Sequence, residues 1–288
     1  MLDFHIYDVF TDRPFSGNPL AVVMGADGLS TGQMQTMARQ FNLSETIFVM
    51  APRDPAHRAR VRIFMPKAEI PFAGHPTIGC ALHLAGGADG ALVLEEEAGP
   101  VPVTVADGLA EFTAPALPVL TGEAPTPLAV AAGLGLTAGQ IGFGAHRPAI
   151  ASAAGNDFIF APLRDLAALA QARPRGAEFE ALTRDVPDVY AYAPEGDGFR
   201  ARMFAPAIGV PEDPATGSAS ATLPALLLAA GALTEGENRI ALRQGVEMGR
   251  PSRIGLTVLV AQGAISEVRI SGRAAKVAEG RIAIPEED

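Results

Sequence analysis

Arg62-Ile-Phe-Met-Pro66 recurs as Arg202-Met-Phe-Ala-Pro206, and each copy has a second proline five residues on, Pro71 and Pro211. Each then passes a glycine-containing turn, Pro71-Phe-Ala-Gly-His-Pro76 in the first copy and Glu212-Asp-Pro-Ala-Thr-Gly-Ser218 in the second. Apolar runs follow, Thr77–Ala85 before Gly86 and Ala219–Ala230 before Gly231. Strand, turn and buried helix in both halves of one chain predict a duplicated domain. A helix apolar on most sides has to be surrounded, here by the strands of its own domain. Pro224 inside the second run is expected to bend it.

The 288 residues suffice for two modest domains. The boundary is expected in the proline-rich stretch Pro115–Pro127, read as a linker, giving domains over residues 1–118 and 119–288. The last strands, from about residue 270, are expected to pack back onto the first domain. Short strands and turns fill the rest, among them a hairpin turned at Asp107-Gly108 and a Ser30-capped helix with Gln33 three residues on. The charge of −10, from 22 basic and 32 acidic residues, argues against nucleic acid or an anionic membrane as partner. The N-terminus lacks the pattern of a signal peptide and no apolar stretch reaches spanning length, so a cytoplasmic location is expected. Cys80 is the only cysteine, which excludes an intrachain disulfide and leaves a buried thiol.

Gly74 and His75 fall at the start of the first helix, Gly217 and Ser218 at the start of the second. Helix starts present unpaired N–H groups and partial positive charge, which suits a carboxylate or a developing oxyanion. If the two copies face each other, those groups line one cleft. His75 reads as a proton carrier or donor, or as a turn histidine. Asp213 reads as an acid/base or an Asx-turn residue, and Ser218 as a substrate contact or an ordinary helix-start residue. Glu45, before the apolar run Thr46–Met50, reads as a general base or a solvated carboxylate. The histidines His5, His57, His75, His83 and His146 show no metal-ligand spacing, and Gly-x-Gly-x-x-Gly and Walker loops are absent. Neither a metal nor a cofactor is expected.

Gly17-Asn-Pro-Leu-Ala-Val-Val23, Asn42-Leu-Ser-Glu-Thr46, Pro71-Phe-Ala-Gly-His-Pro-Thr77 and Glu212-Asp-Pro-Ala-Thr-Gly-Ser-Ala219 together resemble the PhzF-like family of phenazine biosynthesis. The resemblance covers both halves. It implies the α+β fold of diaminopimelate epimerase, two pseudo-symmetric domains each with β-barrel-like strands around a central helix, and a homodimer. It implies that Glu45 is the catalytic acid/base, that His75 and Asp213 bind substrate and handle protons, and that Gly74, Gly217 and Ser218 hold the substrate. The best-known member isomerises trans-2,3-dihydro-3-hydroxyanthranilate without a cofactor. The related epimerases carry a cysteine at each helix start, and the matching positions here are Ala73 and Thr216.

The leading expectation is therefore a cofactor-independent isomerase of a small cyclic or amino carboxylic acid. An epimerase or racemase of another amino acid, and a non-catalytic metabolite-binding protein on the same scaffold, are the competing readings. Tyr190, Tyr192 and His146 have no assigned place at this level.

Overall fold

The computed structural model describes residues 1–153 and 155–287. In chain order the elements are β1 (Leu2–Val9), β2 (Asn18–Met24), α1 (Thr31–Phe41), β3 (Glu45–Met50), β4 (Ala59–Phe64), β5 (Glu69–Ile70), α2 (Gly74–Ala85), β6 (Gly90–Glu96), β7 (Gly99–Ala106) and β8 (Leu109–Thr113). Next come β9 (Val119–Thr121), α3 (Pro127–Leu134), β10 (Ala149–Ala153), β11 (Asn156–Pro162), α4 (Leu166–Gln171), α5 (Gly176–Leu182) and β12 (Val189–Glu195). The series ends with β13 (Gly198–Ala205), β14 (Val210–Asp213), α6 (Gly217–Thr222), α7 (Pro224–Ala229), β15 (Gly236–Gln244), β16 (Ser252–Ala261), β17 (Ala264–Gly272) and β18 (Ala274–Ile282). One compact unit holds Met1–Thr113 and the chain from Ser271 on; the other holds Ala114–Ile270.

Strand pairing in the first unit runs β18–β1–β2–β3–β4–β6–β7–β8, with β5 beside β4. The β2–β3 and β4–β6 pairs are parallel and the others antiparallel. In the second unit the succession is β9–β10–β11–β12–β13–β15–β16, with β14 beside β13. Here β11–β12 and β13–β15 are the parallel pairs. Both units thus repeat one order and one set of directions.

In the first unit α2 packs against β1, β2, β3, β6, β7, β8 and β18. Gly79 makes that closeness possible: a Cβ there would lie 2.5 Å from a Leu20 methyl and 2.8 Å from a Val9 methyl. The other sheet face is covered by α1, whose Met34, Met37 and Ala38 join Val23, Phe48 and Phe64 in one cluster. In the second unit α6 packs on β10, β11 and β16, and α3, α4 and α5 supply the outer layer over Val189, Ala191 and Phe204. Covered on both sides, β3 and β12 are buried at nearly every position instead of alternating.

The repeat motif has one physical role in both units. Arg62 Nε and Nη2 bond the two carboxylate oxygens of Glu69 at 2.7 and 2.6 Å, with the guanidinium carbon 5.2 Å from the Phe64 ring centre. Arg202 bonds Glu212 at 2.8 Å twice, with its guanidinium carbon 4.9 Å from the Phe204 ring centre. Each arginine thereby ties β4 to β5, or β13 to β14, just ahead of the central helix.

Ser30 and Gln33 form the expected capping box, and Asp107 and Gly108 turn the hairpin with φ of 51° and 70°. Three expectations need correction. The stretch Pro115–Pro127 is no plain linker, because Val119–Thr121 forms β9 and pairs with β10. The second apolar run is two helices rather than one bent helix, since Pro224 opens α7 after Leu223. Counting back from the helix starts and the Glu69/Glu212 partners, the residue matching Pro71 is Pro214, not Pro211. Asp213 then matches Ile70, so the acidic residue belongs to one copy only.

Candidate active site

The first group of residues lies in the first unit. Gly17 has φ +68°, and a Cβ there would meet the Val9 carbonyl oxygen at 2.3 Å, so the turn into β2 requires glycine. That turn sets Asn18 and Pro19 at the start of β2, and Leu20 pairs with Glu45 at the start of the parallel β3. The α2 start has Ala73 as its N-cap and no side-chain cap. The N–H groups of Gly74 and His75 have no partner within the helix, and Pro76 has no N–H at all.

His75 Nδ1 stands 3.2 Å from Glu45 Oε2, with side-chain exposures of 4% and 17%. Burial pushes the His75 pKa down to about 3; a hydrogen bond to the Pro19 carbonyl opposes this but is outweighed. The ring is therefore neutral at pH 7 and its one proton goes to the Pro19 carbonyl, so the approach to Glu45 Oε2 is a close contact of a neutral ring with a carboxylate, neither an ion pair nor a hydrogen bond. Nε2 is buried without a hydrogen bond, which assigns the ring proton to Nδ1. Glu45 thus has a proton-bearing neighbour that carries no charge.

The second group lies in the second unit. Asp213 ends β14, and its Oδ2 accepts from the Thr216 hydroxyl at 2.5 Å. The fully buried Gln244 braces that hydroxyl: Nε2 donates to Thr216 Oγ1 at 2.9 Å and to the Asp213 carbonyl at 2.8 Å, while Oε1 accepts from the Thr216 N–H at 3.2 Å. Gly217, buried, and Ser218, half-buried, are the first residues of α6. Burial, then the Asp213 charge, raises the Asp188 pKa to about 6.

The structure brings Glu45, His75 and Gly74 together in one unit and Asp213, Gly217 and Ser218 together in the other. Ala73 and Thr216 are the N-cap residues of α2 and α6, so neither helix start carries a thiol. Cys80 is fully buried, and burial raises its pKa. Tyr190 and Tyr192 are core residues: the Tyr190 hydroxyl is 3.4 Å from Ser220 Oγ, and that of Tyr192 is 3.0 Å from His146 Nδ1. Glu96 and Gln244 went unnoticed in the sequence. The only signal for them is the repeat, because each ends the strand that pairs in parallel with the motif strand. A hollow of about 630 Å³ lined by Arg173, Arg202, Glu212 and Glu247 contains none of the candidate residues.

The model of the phenazine biosynthesis-like protein family matches residues 7–280. The chain belongs to this family. It is 39% identical to the trans-2,3-dihydro-3-hydroxyanthranilate isomerase of Pseudomonas aeruginosa, over 96% of this chain and 97% of that one. It is 42% identical to an uncharacterized isomerase of Mesorhizobium japonicum, over 98% and 99%. Its fold superposes on a phenazine biosynthesis protein of the PhzF family from Bacillus anthracis with a TM-score of 0.87, over 98% and 99% of the two chains at 23% identity. The chain is thus an isomerase of the PhzF type. Among the described residues, no helix is long and apolar enough to cross a membrane.

Proposed function

We propose that the protein isomerises a small cyclic or amino carboxylic acid by moving one proton, in the manner of trans-2,3-dihydro-3-hydroxyanthranilate isomerase. Glu45 takes a proton from a carbon activated by its neighbours. The double bond shifts, and Glu45 returns the proton to another carbon, so substrate and product are isomers and no co-reactant is consumed. The backbone N–H groups of Gly74 and Gly217 and the Ser218 side chain hold the substrate carboxylate and the charge that develops beside it. His75, its ring fixed by the Pro19 carbonyl, stands beside Glu45 as a neutral contact for the substrate, and Asp213, fixed by Thr216, handles the second polar group of the substrate. The reaction needs neither metal nor organic cofactor, and the protein works in the cytoplasm as a homodimer.

The observation that carries this reading is the Glu45–His75 contact of 3.2 Å beside the uncapped start of α2, with the imidazole kept neutral by burial. A two-thiol epimerase lacks its chemistry here, since Ala73 and Thr216 occupy the two helix starts. The test is ¹H NMR of solvent-deuterium incorporation across a panel of small carboxylic acids, trans-2,3-dihydro-3-hydroxyanthranilate included. Glu45→Gln is expected to slow incorporation by about 10²–10⁴. Wild-type exchange in that variant would remove Glu45 from the mechanism.

A further inference from the structure

Thr77 Oγ1, one turn into α2, lies 2.8 Å from the Ala73 carbonyl oxygen and 2.7 Å from Glu96 Oε1. A hydroxyl has one proton to give. Both contacts are hydrogen bonds at once only if Thr77 donates to Ala73 and accepts from Glu96, which then must carry a proton. With Glu96 ionised, Thr77 would turn its proton to the carboxylate and leave the Ala73 carbonyl facing a lone pair. The surroundings agree. Glu96 is 7% exposed, and its Oε2 is buried with no hydrogen-bond partner among the described residues. An ionised carboxylate with a bare oxygen in such a place is costly.

The groups facing Glu96 carry no positive charge. On α2 they are Thr77 and the thiol of Cys80, kept un-ionised by burial. By strand register its neighbours are Gly99 on β7 and, on the inward side of β4, Ala59 and Val61. Arg60 and Arg62 alternate to the other face, where Arg62 binds Glu69. Burial accordingly drives the Glu96 pKa up to about 8, the Thr77 bond opposing it.

The second repeat has a permanent donor at the matching strand position, and it acts on the N-cap residue rather than one turn into the helix. Leu94 pairs with Ala59 and Leu242 with Phe199, which sets Glu96 and Gln244 at matching positions. The Gln244 amide donates to the Thr216 hydroxyl at the start of α6. We propose that Glu96 is a positioning residue that acts as a neutral carboxylic acid, donating through Thr77 to hold the Ala73 carbonyl and so the first turn of α2, where Gly74 and His75 sit. The inference rests on the proposed role of that turn in substrate binding. Ionisation of Glu96 takes the hydroxyl from the Ala73 carbonyl, which then keeps only the Thr77 N–H at 3.2 Å, and so loosens the turn and lowers activity on the alkaline side.

Two measurements on the full-length protein test it. Infrared difference spectra of wild type against Glu96→Gln need no substrate: at pH 6 the wild type shows a buried protonated-carboxyl band that the variant lacks and that is gone at pH 10. Absence of that band at pH 6 overturns the proposal whatever the enzyme acts on. The second is the pH profile of deuterium exchange. With a pKa of about 8, wild-type kcat/KM falls about tenfold by pH 9, while Glu96→Gln, which keeps a donor, matches wild type at pH 7 and changes less than about twofold up to pH 9. The same alkaline fall in Glu96→Gln, or a loss of about tenfold at pH 7, overturns it too.

Discussion

The two arginines of the repeat make the same contacts in different surroundings, so one chain contains its own controlled comparison. Arg202 and Glu212 have side-chain exposures of 6% and 16%; Arg62 and Glu69 have 19% and 27%. Arg202 Nη1 also donates to the carbonyls of Leu169 at 3.0 Å and Ala172 at 2.7 Å, whereas the extra partner of Arg62 is the Thr31 hydroxyl at the surface. Arg202→Met keeps most of the stem but leaves Glu212 without its cation and takes one donor each from the Leu169 and Ala172 carbonyls, which keep the Ala172 N–H and Arg173 Nη1. Removing one partner of a buried pair costs about 3–5 kcal/mol. The hollow of about 630 Å³ beside Glu212 admits water and points to the lower end of that range. Arg62→Met breaks a more exposed pair, and solvent screening holds its cost to about 1 kcal/mol. The expected difference is about 2 kcal/mol, or about 4–8 °C in Tm for a chain of this size. Urea denaturation of both variants, followed by circular dichroism, measures it. Equal losses, or a larger loss for Arg62→Met, would refute the argument that burial decides the worth of this motif. Arg202→Met combined with Glu212→Leu should recover part of the loss, because the stranded carboxylate is then gone.

Three further outcomes follow from the site. Glu96 has a folded pKa of about 8 against 4.5 when exposed, so the folded state binds the extra proton and stability falls as pH rises from about 4.5 to about 8. At 1.36 kcal/mol per unit, the loss between pH 6.5 and 8 is about 2 kcal/mol; Glu96→Gln should abolish it in thermal melts, and a wild-type stability flat over that interval would contradict it. His75 has the opposite sign: its folded pKa of about 3 lies below 6.5, so stability is complete above about pH 6.5 and is lost on acidification towards 3. His75→Asn should flatten that acid limb, and an unchanged limb would count against a buried neutral ring. Gly17→Ala places a Cβ 2.3 Å from the Val9 carbonyl oxygen at a φ of +68°. A cost of about 2–4 kcal/mol is expected from strain and overlap together, read as a Tm loss, and an unchanged Tm would refute it.

Much of the architecture is legible in local pattern. The Arg-x-Phe-x-Pro repeat, the two glycine turns and the two apolar runs determine that the chain contains one motif twice, and the motifs around Glu45, His75 and Asp213 determine the family. Local signals also announce the Ser30 capping box and the Asp107-Gly108 turn, because their partners lie within a few residues. Three things depend on packing instead. The neutrality of His75 comes from burial, and burial depends on what α2 packs against rather than on residues 74–76. The partners of the two arginines, Glu69 and Glu212, stand at different sequence spacings, and only the shared geometry shows them to be equivalent and moves the match from Pro211 to Pro214. Glu96 and Gln244 look like strand-end polar residues until register sets them opposite Thr77 and Thr216. Alternation along a strand indicates which face a side chain takes; it carries no information about what waits on that face. The choice of β1 as the partner of β18, and the brief strand β9 inside the proline-rich stretch, are decided in the same way by hydrogen bonds between distant segments. The catalytic vocabulary is thus set by the sequence, while the protonation states that make it usable are set by the tertiary structure, because desolvation belongs to the assembled core and to no single segment.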